Sequence, residues 1–316
     1  MSRLPTFFIV GAPKAGTTSL YRYLDEHPRI YMSAVKEPHF FAPEVREENF
    51  DPAFRKRVAQ DARAVRKFVS GAMLEKRFGG IVSDWEDYQR LFSGAGDAAA
   101  IGEASTCYLW SPGAPDRIAA AIPNAKIVVL LRDPADRAYS QYLHGVGNGA
   151  IRWTFREHIR RNLADRSGRF SIHYPFLELG LYSDQLRRYL DRFAGNVWIG
   201  FHDEFRERAP EVLKDLCRFL GVTEEFSPDL TRRHLEAEVP RIAAAGWLKR
   251  SGLWTAAARF TPKRLRTPIR SALMRKPPPA GMDPADRRYL VDFYRADIER
   301  ASSLLKRDLG RWLQTD

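Results

Sequence analysis

Cysteine is scarce in this sequence, and long apolar runs are absent. Only two of the 316 residues are cysteine, Cys107 and Cys217, and neither belongs to a CxxC pair, which excludes a disulfide framework and a cysteine-rich zinc site. No run of about 18 apolar residues is present, which excludes a conventional membrane-spanning helix. The chain passes directly from Met1 into the apolar stretch 6–10 and lacks the basic start and cleavage site of a signal peptide. We therefore expect an unprocessed, soluble protein of the reducing cytoplasm.

The composition and the order of apolar patterns predict a single α/β domain over residues 1–316. With 44% hydrophobic and 12% aromatic residues, the chain can bury one large core. The periodicity predicts strands at Thr6–Val10, Ile30–Met32, Ala99–Gly102, Lys126–Leu131 and Val197–Phe201, and helices at Thr17–Glu26, Asp116–Ala121, Ala135–His144, Leu181–Phe193, Ala209–Leu220 and Pro284–Leu305. The run 127–131 is apolar on both faces, which is typical of a central parallel strand. This order favours a central parallel sheet flanked by helices.

The segment after the first strand lacks the lysine of a nucleotide triphosphatase loop but keeps features that bind phosphate. Residues 11–20 read Gly-Ala-Pro-Lys-Ala-Gly-Thr-Thr-Ser-Leu and connect a strand to a helix. Gly11 and Gly16 let the backbone turn and approach a ligand, and the N-terminus of the helix attracts anions. Thr17 stands where the triphosphatase motif has lysine, and the only lysine of the loop is Lys14. We predict an anion-binding loop suited to one 5′-phosphate and a group that leaves from it; an ordinary glycine-rich turn is the alternative.

The segment Phe8–Leu20 resembles the 5′-phosphosulfate loop of sulfotransferases, and it is most similar to bacterial members and to the sulfotransferase domains of heparan sulfate enzymes. The resemblance implies a P-loop NTPase-like fold and 3′-phosphoadenosine 5′-phosphosulfate (PAPS) as the sulfuryl donor, without a metal. The donor-binding residues that it implies here are Lys14, Ala15, Gly16, Thr17, Thr18 and Ser19. Because the protein mainly positions the reactants and stabilises charge in such a transfer, we assign Lys14 to the departing oxygen.

A second part of the resemblance concerns the other end of the donor. In sulfotransferases the 3′-phosphate is held by an arginine that ends a central strand and by a serine one helical stretch later, and Arg132 and Ser140 match this pattern. An arginine at the carboxyl end of a parallel strand is well placed to bind phosphate, and an ion pair with Asp133 or Asp136 is the structural alternative. The resemblance also covers the segment that ends in Tyr182, which we include among the donor-binding residues.

The segment Lys36–Phe41 resembles the catalytic-base segment of the same family. By this resemblance Glu37 is the general base that accepts the proton of the acceptor, and His39 is the second candidate. Burial beside the phenylalanines would raise the pKa of Glu37 and the adjacent lysine would lower it, so the sequence leaves the direction open. A solvated Glu–Lys pair and a structural histidine are the alternatives.

Two other charged residues are candidates for supporting roles. Arg137 precedes Ser140 by about one helical turn and is a candidate to assist at the 3′-phosphate. Glu103 ends a predicted strand, where parallel sheets present functional groups, and is a candidate to orient the acceptor or to pair with a site lysine. The heparan sulfate enzymes carry a lysine where this chain has Ala104 and an acidic residue near Ala42, and this departure weakens a glycosaminoglycan assignment.

The net charge of +12 is concentrated in residues 241–282, which contain ten basic and no acidic residues. Aromatic and leucine residues interleave with these charges, a composition typical of a segment that lies on a membrane surface or binds an acidic polymer. Closure over the donor, with residues 249–252 as a capping loop, and a solvated face are the alternatives. We therefore expect a cytoplasmic protein, with peripheral membrane contact through 241–282 as an alternative, and no nucleic acid partner.

These observations predict transfer of a sulfuryl group from PAPS to a hydroxyl of a carbohydrate-type acceptor, either a glycan or a glycolipid. A P-loop nucleotide kinase or ATPase is the first alternative, but it requires a lysine after Gly16 and a magnesium-binding aspartate at a strand end. A non-catalytic polyanion-binding protein that uses residues 241–282 is the second. Steep salt dependence of binding, with no effect of nucleotide on stability, would favour the latter.

Overall fold

The computed structural model describes residues 3–230, 239–240, 274–275 and 281–315, and its central feature is a five-stranded parallel sheet. The strands are β1 (Phe7–Gly11), β2 (Ile30–Met32), β3 (Val35–Lys36), β4 (Arg77–Phe78), β5 (Ala100–Ala104), β6 (Lys126–Leu131), β7 (Val197–Phe201), β8 (Val239–Pro240) and β9 (Met274–Arg275). The sheet has the order β2–β5–β1–β6–β7, and all of its neighbouring strands are parallel. A separate parallel pair joins β3 to β4, and an antiparallel pair joins β8 to β9.

Several helices begin at residues that local chemistry favours. The helices are α1 (Thr17–Asp25), α2 (Pro52–Val69), α3 (Trp85–Arg90), α4 (Ala114–Ala121), α5 (Pro134–Gly147), α6 (Phe155–Ala164), α7 (Tyr182–Arg192), α8 (His202–Glu207), α9 (Ala209–Leu220) and α10 (Pro284–Leu305). Asp51, Asp133 and Asp283 precede a proline at the first position of α2, α5 and α10, and each accepts hydrogen bonds from first-turn N–H groups. Aspartate supplies the acceptor and proline the helical φ, so both residues favour a helix start.

Two adjacent strands form the most deeply buried part of the core. The side chains of residues 7–10 in β1 and 127–131 in β6 have no solvent exposure. Burial of one large aliphatic or aromatic side chain contributes about 1.5–3 kcal/mol relative to exposure. The two strands are therefore firmly anchored, and they fix the starting points of the loops that follow them.

The strand order creates a topological switch point between β1 and β6. From β1 the chain passes through α1 to β2 on one side of the sheet, whereas from β6 it passes through α5 to β7 on the other side. In open α/β sheets, ligands bind outside the carboxyl ends of the strands at such a point. The loop 11–16 follows β1 and Arg132 follows β6, so both lie at this switch point.

The α/β class and the parallel sheet flanked by helices are confirmed, and the predicted strands and helices lie within three residues of the observed ones. Helix α2 is not predicted from the sequence, because it buries only Val65 and Val69 and its apolar stripe is therefore weak. Residues 241–282 lie outside the described residues except at 274–275 and 281–282, so their role and the 1–316 domain assignment stay predictions. Within the described part of the chain, no helix combines the length and the apolar character needed to cross a bilayer.

Candidate active site

The loop between β1 and α1 has a backbone suited to holding an anion. Gly16 at the start of α1 has a φ of 97°, a left-handed conformation that glycine adopts without strain. A Cβ atom on Gly11 would lie 2.7 Å from the Cβ of Leu109, so close packing requires glycine there as well. The first turn of α1 contains no acidic residue, and the positive end of the helix dipole is therefore not offset within that turn.

Arg132 follows β6 and reaches across to the loop that follows β1. Its Nη1 donates a hydrogen bond to the carbonyl oxygen of Lys14 at 3.0 Å. Its buried Nε has no hydrogen-bond partner among the described residues. The hydroxyl of Tyr182 donates to the carbonyl oxygen of Arg132 at 2.9 Å and holds that backbone from behind. The guanidinium is therefore fixed in place while part of its donor capacity is unused.

The neighbouring aspartates do not provide the partner that a structural arginine would have. Asp133 caps α5 and pairs with Arg287 at 2.7 Å. Asp136 pairs with the same guanidinium at 3.2 Å. Among the described residues, no ion pair joins Arg132 to either aspartate, so the ion pair considered as its structural alternative is not formed there.

The carboxyl ends of β1 and β6 border one cavity of about 380 Å³, which we call the strand-end cavity. It is lined by Pro13, Lys14, Gly16, Thr17, Thr18, Ser19, Lys36, Glu37, Phe78, Gly79, Thr106, Arg132, Ser140, His144 and His202. The fold thus brings the predicted anion-binding loop, the predicted 3′-phosphate residues and the predicted base together, although they are far apart in sequence.

The strand-end cavity carries uncompensated positive charge. Burial, followed by the charges of Arg132, Arg137 and Lys36, lowers the pKa of Lys14 from 10.5 to about 8. Among the described residues, no carboxylate lies within ion-pair distance of the Lys14 ammonium. An anion bound in the cavity would relieve this repulsion, so the site is electrostatically prepared for a ligand with negative groups.

Glu37 is held at the edge of the cavity by a defined set of partners. Its Oε1 accepts a hydrogen bond from Nζ of Lys36 at 2.6 Å, and its Oε2 accepts one from the backbone N–H of Thr106 at 2.8 Å. Burial favours a higher pKa, but the charges of Lys36 and His39 and these hydrogen bonds outweigh it, so the pKa of Glu37 is lowered. Glu37 is therefore an ionised acceptor of protons at neutral pH.

His39 lies beside Glu37 but lines a different cavity. Its Nδ1 is 3.9 Å from Oε2 of Glu37 and 3.0 Å from Sγ of Cys107. Burial, partly offset by Glu37, lowers the pKa of His39. The histidine faces a second cavity of about 640 Å³, which we call the apolar cavity. The two candidate bases are therefore adjacent, but Glu37 borders the strand-end cavity and His39 borders the apolar cavity.

The backbone is strained at the three residues predicted to be catalytic. Lys14, Glu37 and His39 have φ angles of 67°, 64° and 57°, in the left-handed region that residues with a Cβ rarely occupy. Such a conformation costs about 1–3 kcal/mol per residue and persists where the surrounding structure holds it. Concentration of this strain at neighbouring positions is typical of a functional site.

Other predicted residues lie behind the strand-end cavity rather than in its wall. Ala15 is fully buried, and its N–H donates to the carbonyl oxygen of Ala12 at 3.2 Å. Tyr182 is buried and contacts Arg132 through its hydroxyl. Arg137 is fully buried, and its guanidinium donates to the carbonyl oxygen of Phe176 at 2.6 Å instead of lining the cavity. The helix phase directs Arg137 into the core, and its influence on the cavity is electrostatic.

Glu103 occupies a different environment from the one that the sequence suggests. Its side chain is fully buried and accepts hydrogen bonds from the hydroxyls of Tyr88 and Tyr108 at 3.1 and 2.9 Å. Burial raises the pKa of Glu103 to about 7. It pairs with tyrosines and not with Lys14 or Lys36, because β5 is buried on both faces and its end is enclosed by these aromatic side chains.

Three polar residues of the cavity wall, Thr106, His144 and His202, were not identified from the sequence. Thr106 binds the carboxylate of Glu37 through its backbone N–H and its hydroxyl. His144 lies on α5 four residues after Ser140, a helical spacing that would have identified it. His202 directly follows β7, and its position as a polar residue at the end of a parallel strand could have identified it from the sequence. Among the described residues, no group of three or more His, Cys, Asp or Glu side chains is arranged to hold a metal ion.

Comparisons with known proteins agree with this geometry. The sulfotransferase family matches residues 5–226 of the chain. The bifunctional heparan sulfate N-deacetylase/N-sulfotransferase 2 of Bos taurus is 30% identical over 324 aligned residues, which cover 99% of this chain and 31% of that protein. The corresponding enzyme 1 of Homo sapiens is 29% identical over 227 residues, which cover 70% of this chain and 22% of that protein. The chain thus spans about a third or less of the length of these curated relatives.

A solved structure is similar over the whole chain. A sulfotransferase from Alicyclobacillus acidocaldarius is 29% identical and has a TM-score of 0.71, and the match covers 99% of this chain and 100% of that one. The similarity therefore includes the fold as well as the sequence. Since the family match extends over more than half of the residues, the chain belongs to the sulfotransferase family of enzymes.

Proposed function

We propose that this protein transfers a sulfuryl group from PAPS to a hydroxyl of a carbohydrate-type acceptor. The observation that carries the proposal is the juxtaposition of Lys14 and Arg132 in one cavity at the switch point of the sheet. The two cations follow different strands, β1 and β6, so they can bind opposite ends of a single ligand. PAPS has an anionic group at each end of its ribose, and its charges match this arrangement.

The phosphosulfate end of the donor is assigned to the loop 11–16 and the start of α1. The N-terminal dipole, the hydroxyls of residues 17–19 and the Lys14 ammonium all favour negative charge there. The 3′-phosphate is assigned to Arg132 and Ser140, because the Arg132 guanidinium retains unused donor capacity and Ser140 faces the same cavity. Ala15 and Tyr182 support these residues from behind.

The reaction follows from these assignments. The acceptor oxygen attacks sulfur and forms a new S–O bond, while the S–O bond to the 5′-phosphate oxygen breaks and leaves 3′-phosphoadenosine 5′-phosphate (PAP). Lys14 stabilises the negative charge that develops on the departing oxygen. Glu37 accepts the proton that the acceptor hydroxyl loses, which yields a sulfate ester and a protonated carboxyl.

Glu37 is assigned as the base in preference to His39 because it borders the strand-end cavity together with Lys14. Its lowered pKa keeps it ionised before the reaction. His39 lies 3.9 Å away and is placed to influence the charge of Glu37. The curated relatives are named for N-sulfation of heparan sulfate, so a glycan amine is the second acceptor group to include in any test.

The experiment is a transfer assay with a labelled sulfate donor against a panel of glycan, glycolipid and aminoglycan acceptors. We expect transfer without added magnesium and calorimetric binding of PAP. A Glu37→Gln variant should lose turnover by at least about 100-fold, the lower end for a general base, and keep PAP affinity within a few fold. Glu75→Gln, at an exposed position, is the matched control.

Three outcomes would contradict the proposal at different points. Absence of PAP binding to the wild-type chain would refute the donor assignment. A fully active Glu37→Gln variant would refute only the assignment of Glu37 as the base. His39 would then be the remaining candidate, and the turnover of a His39→Asn variant would test it. A loss of PAP binding in Glu37→Gln would show that Glu37 binds the donor rather than the proton.

A further inference from the structure

We propose that the acceptor is an amphiphile, whose sulfated head group reaches Glu37 while an alkyl chain attached to that head group lies in the apolar cavity. Because the head group is placed at Glu37, the inference rests on the proposed function. It adds a substrate class that the family membership does not supply. Its basis is a large, mostly apolar space that adjoins the reaction centre.

The apolar cavity has the size and walls of a site for an aliphatic group. Its volume of about 640 Å³ falls within the roughly 300–1,000 Å³ of small-molecule sites. The apolar side chains in its wall come from α2, from the loops before it and after β4, and from the 171–172 segment: Val45, Phe50, Phe54, Val58, Ile81 and Ile172. Most of them are only half-buried, so a ligand could remove further apolar surface from water.

Three of the five polar side chains in the wall lie on one element, and the other two are His39 and Ser171. Arg57, Gln60 and Asp61 are exposed residues of α2. Asp61 is already paired with Arg77 at 2.6 Å. A cavity built to hold several sugar rings would present hydrogen-bonding groups along its whole wall, as polar ligands require. Here the polar groups border an apolar interior.

The apolar cavity and the strand-end cavity meet at the same two chain segments. Glu37 and Gly79 line the strand-end cavity, while His39 and Gly80, one or two residues further along the same segments, line the apolar cavity. Gly80 has a φ of 151°, and a Cβ there would lie 2.1 Å from Cγ2 of Val65. The segment at Gly80 is therefore packed directly against α2. His39 borders the apolar cavity, and its Nδ1 is only 3.9 Å from Oε2 of Glu37, so the apolar cavity lies beside the predicted base.

The inference is tested by the binding of two glucosides that differ only in their alkyl chain. Octyl β-glucoside, below its micelle concentration, and methyl β-glucoside are titrated calorimetrically into the full chain saturated with PAP. Each methylene group of the octyl chain that becomes buried should increase the affinity about fourfold. Burial of only three of them therefore predicts about 50-fold tighter binding of the octyl compound. Equal affinities of the two glucosides, or no binding of either, would overturn the inference.

Variants locate the alkyl chain. Val58→Asp introduces a charge into the apolar wall and should weaken octyl glucoside binding by at least about tenfold, since an aliphatic chain cannot solvate a carboxylate. Leu74→Asp is the matched control, because Leu74 is 91% exposed and does not line the cavity. Phe54→Ala, which removes a wall residue without adding charge, provides the same test if Val58→Asp does not fold. Equal effects of wall and control variants would overturn the inference.

Failure of this inference is distinguishable from failure of the proposed function. PAP binding and sulfuryl transfer to the acceptor panel report on the strand-end cavity. The dependence of affinity on alkyl length reports on the apolar cavity. Sulfuryl transfer that shows no preference for acceptors with a longer alkyl chain would leave the proposed function intact and would refute the inference that the acceptor is an amphiphile.

Discussion

Replacement of Lys14 by methionine should make the ligand-free protein more stable while it abolishes donor binding. Lys14 is surrounded by the positive charges of Arg132, Arg137 and Lys36, and it has no carboxylate partner among the described residues. Methionine retains the length of the side chain and removes the charge. Both residues carry a Cβ, so the cost of the left-handed φ of 67° is similar in the two proteins.

The pKa of Lys14 sets the size and the pH dependence of the effect. The fall from 10.5 to about 8 on folding corresponds to at most about 3 kcal/mol of destabilisation by the protonated form. Because the folded pKa is below the unfolded one, this cost is fully present below pH 8. It disappears as the pH rises toward 10.5. The stability advantage of Lys14→Met should therefore be largest near pH 7 and should vanish at high pH.

Urea unfolding of the ligand-free proteins at several pH values measures this difference. Lys56→Met, on the exposed face of α2, is the control and should change the free energy of unfolding by less than about 0.5 kcal/mol. PAP at 100 times its Kd should stabilise the wild type by about 2.7 kcal/mol and should not stabilise Lys14→Met. A Lys14→Met protein that is less stable than wild type at pH 7 would refute the reasoning about uncompensated charge.

Three further predictions concern the residues that hold the site together. Arg132→Met should weaken PAP binding about 10- to 100-fold in calorimetry, since hydrogen bonds to charged groups contribute about 1.5–3 kcal/mol; unchanged affinity would exclude Arg132 from the donor site. Thr106→Val removes a hydroxyl donor to the Glu37 carboxylate, so the pKa of Glu37 should rise and the acidic limb of the kcat/KM profile should move upward by as much as about 1 pH unit. Thr106→Ser should restore the profile, and an unshifted limb in Thr106→Val would contradict Glu37 as the base. The buried carboxylate of Asp297 accepts hydrogen bonds from the first residues of α7, so Asp297→Ala should lower the free energy of unfolding by about 3 kcal/mol. Asp292→Ala, at an exposed position, is the control, and equal urea midpoints for the two variants would contradict this role of Asp297.

Asp297 illustrates how remote elements support the cavity. Its carboxylate accepts a hydrogen bond from the N–H of Tyr182 at 2.6 Å, and the hydroxyl of Tyr182 donates to the carbonyl oxygen of Arg132. Arg287 of α10 separately binds Asp133 at the start of α5. The C-terminal helix therefore fixes the position of the Arg132 backbone through two independent connections, although it contributes no residue to the cavity wall.

The glycine-bounded loop, the positions of the five strands of the main sheet and several helix starts could be predicted from the sequence, because each depends on neighbouring residues. Two glycines, a lysine and three hydroxyls within ten residues define the loop between β1 and α1. An apolar run of five residues is typical of a strand covered on both faces, as β6 is. Arg132 could be placed at a strand end for the same reason, as the first residue beyond such a run.

What the tertiary structure decided was which side chains face the cavity and which face the core. Arg137 and Glu103 are charged and lie near the site in sequence, but the phase of α5 buries Arg137, and the covering of both faces of β5 buries Glu103. Thr106 enters the site only because the turn after β5 meets the segment that contains Glu37, a contact between residues 69 positions apart. Such contacts depend on the pairing of distant strands, and residue spacing along a single chain carries no information about that pairing.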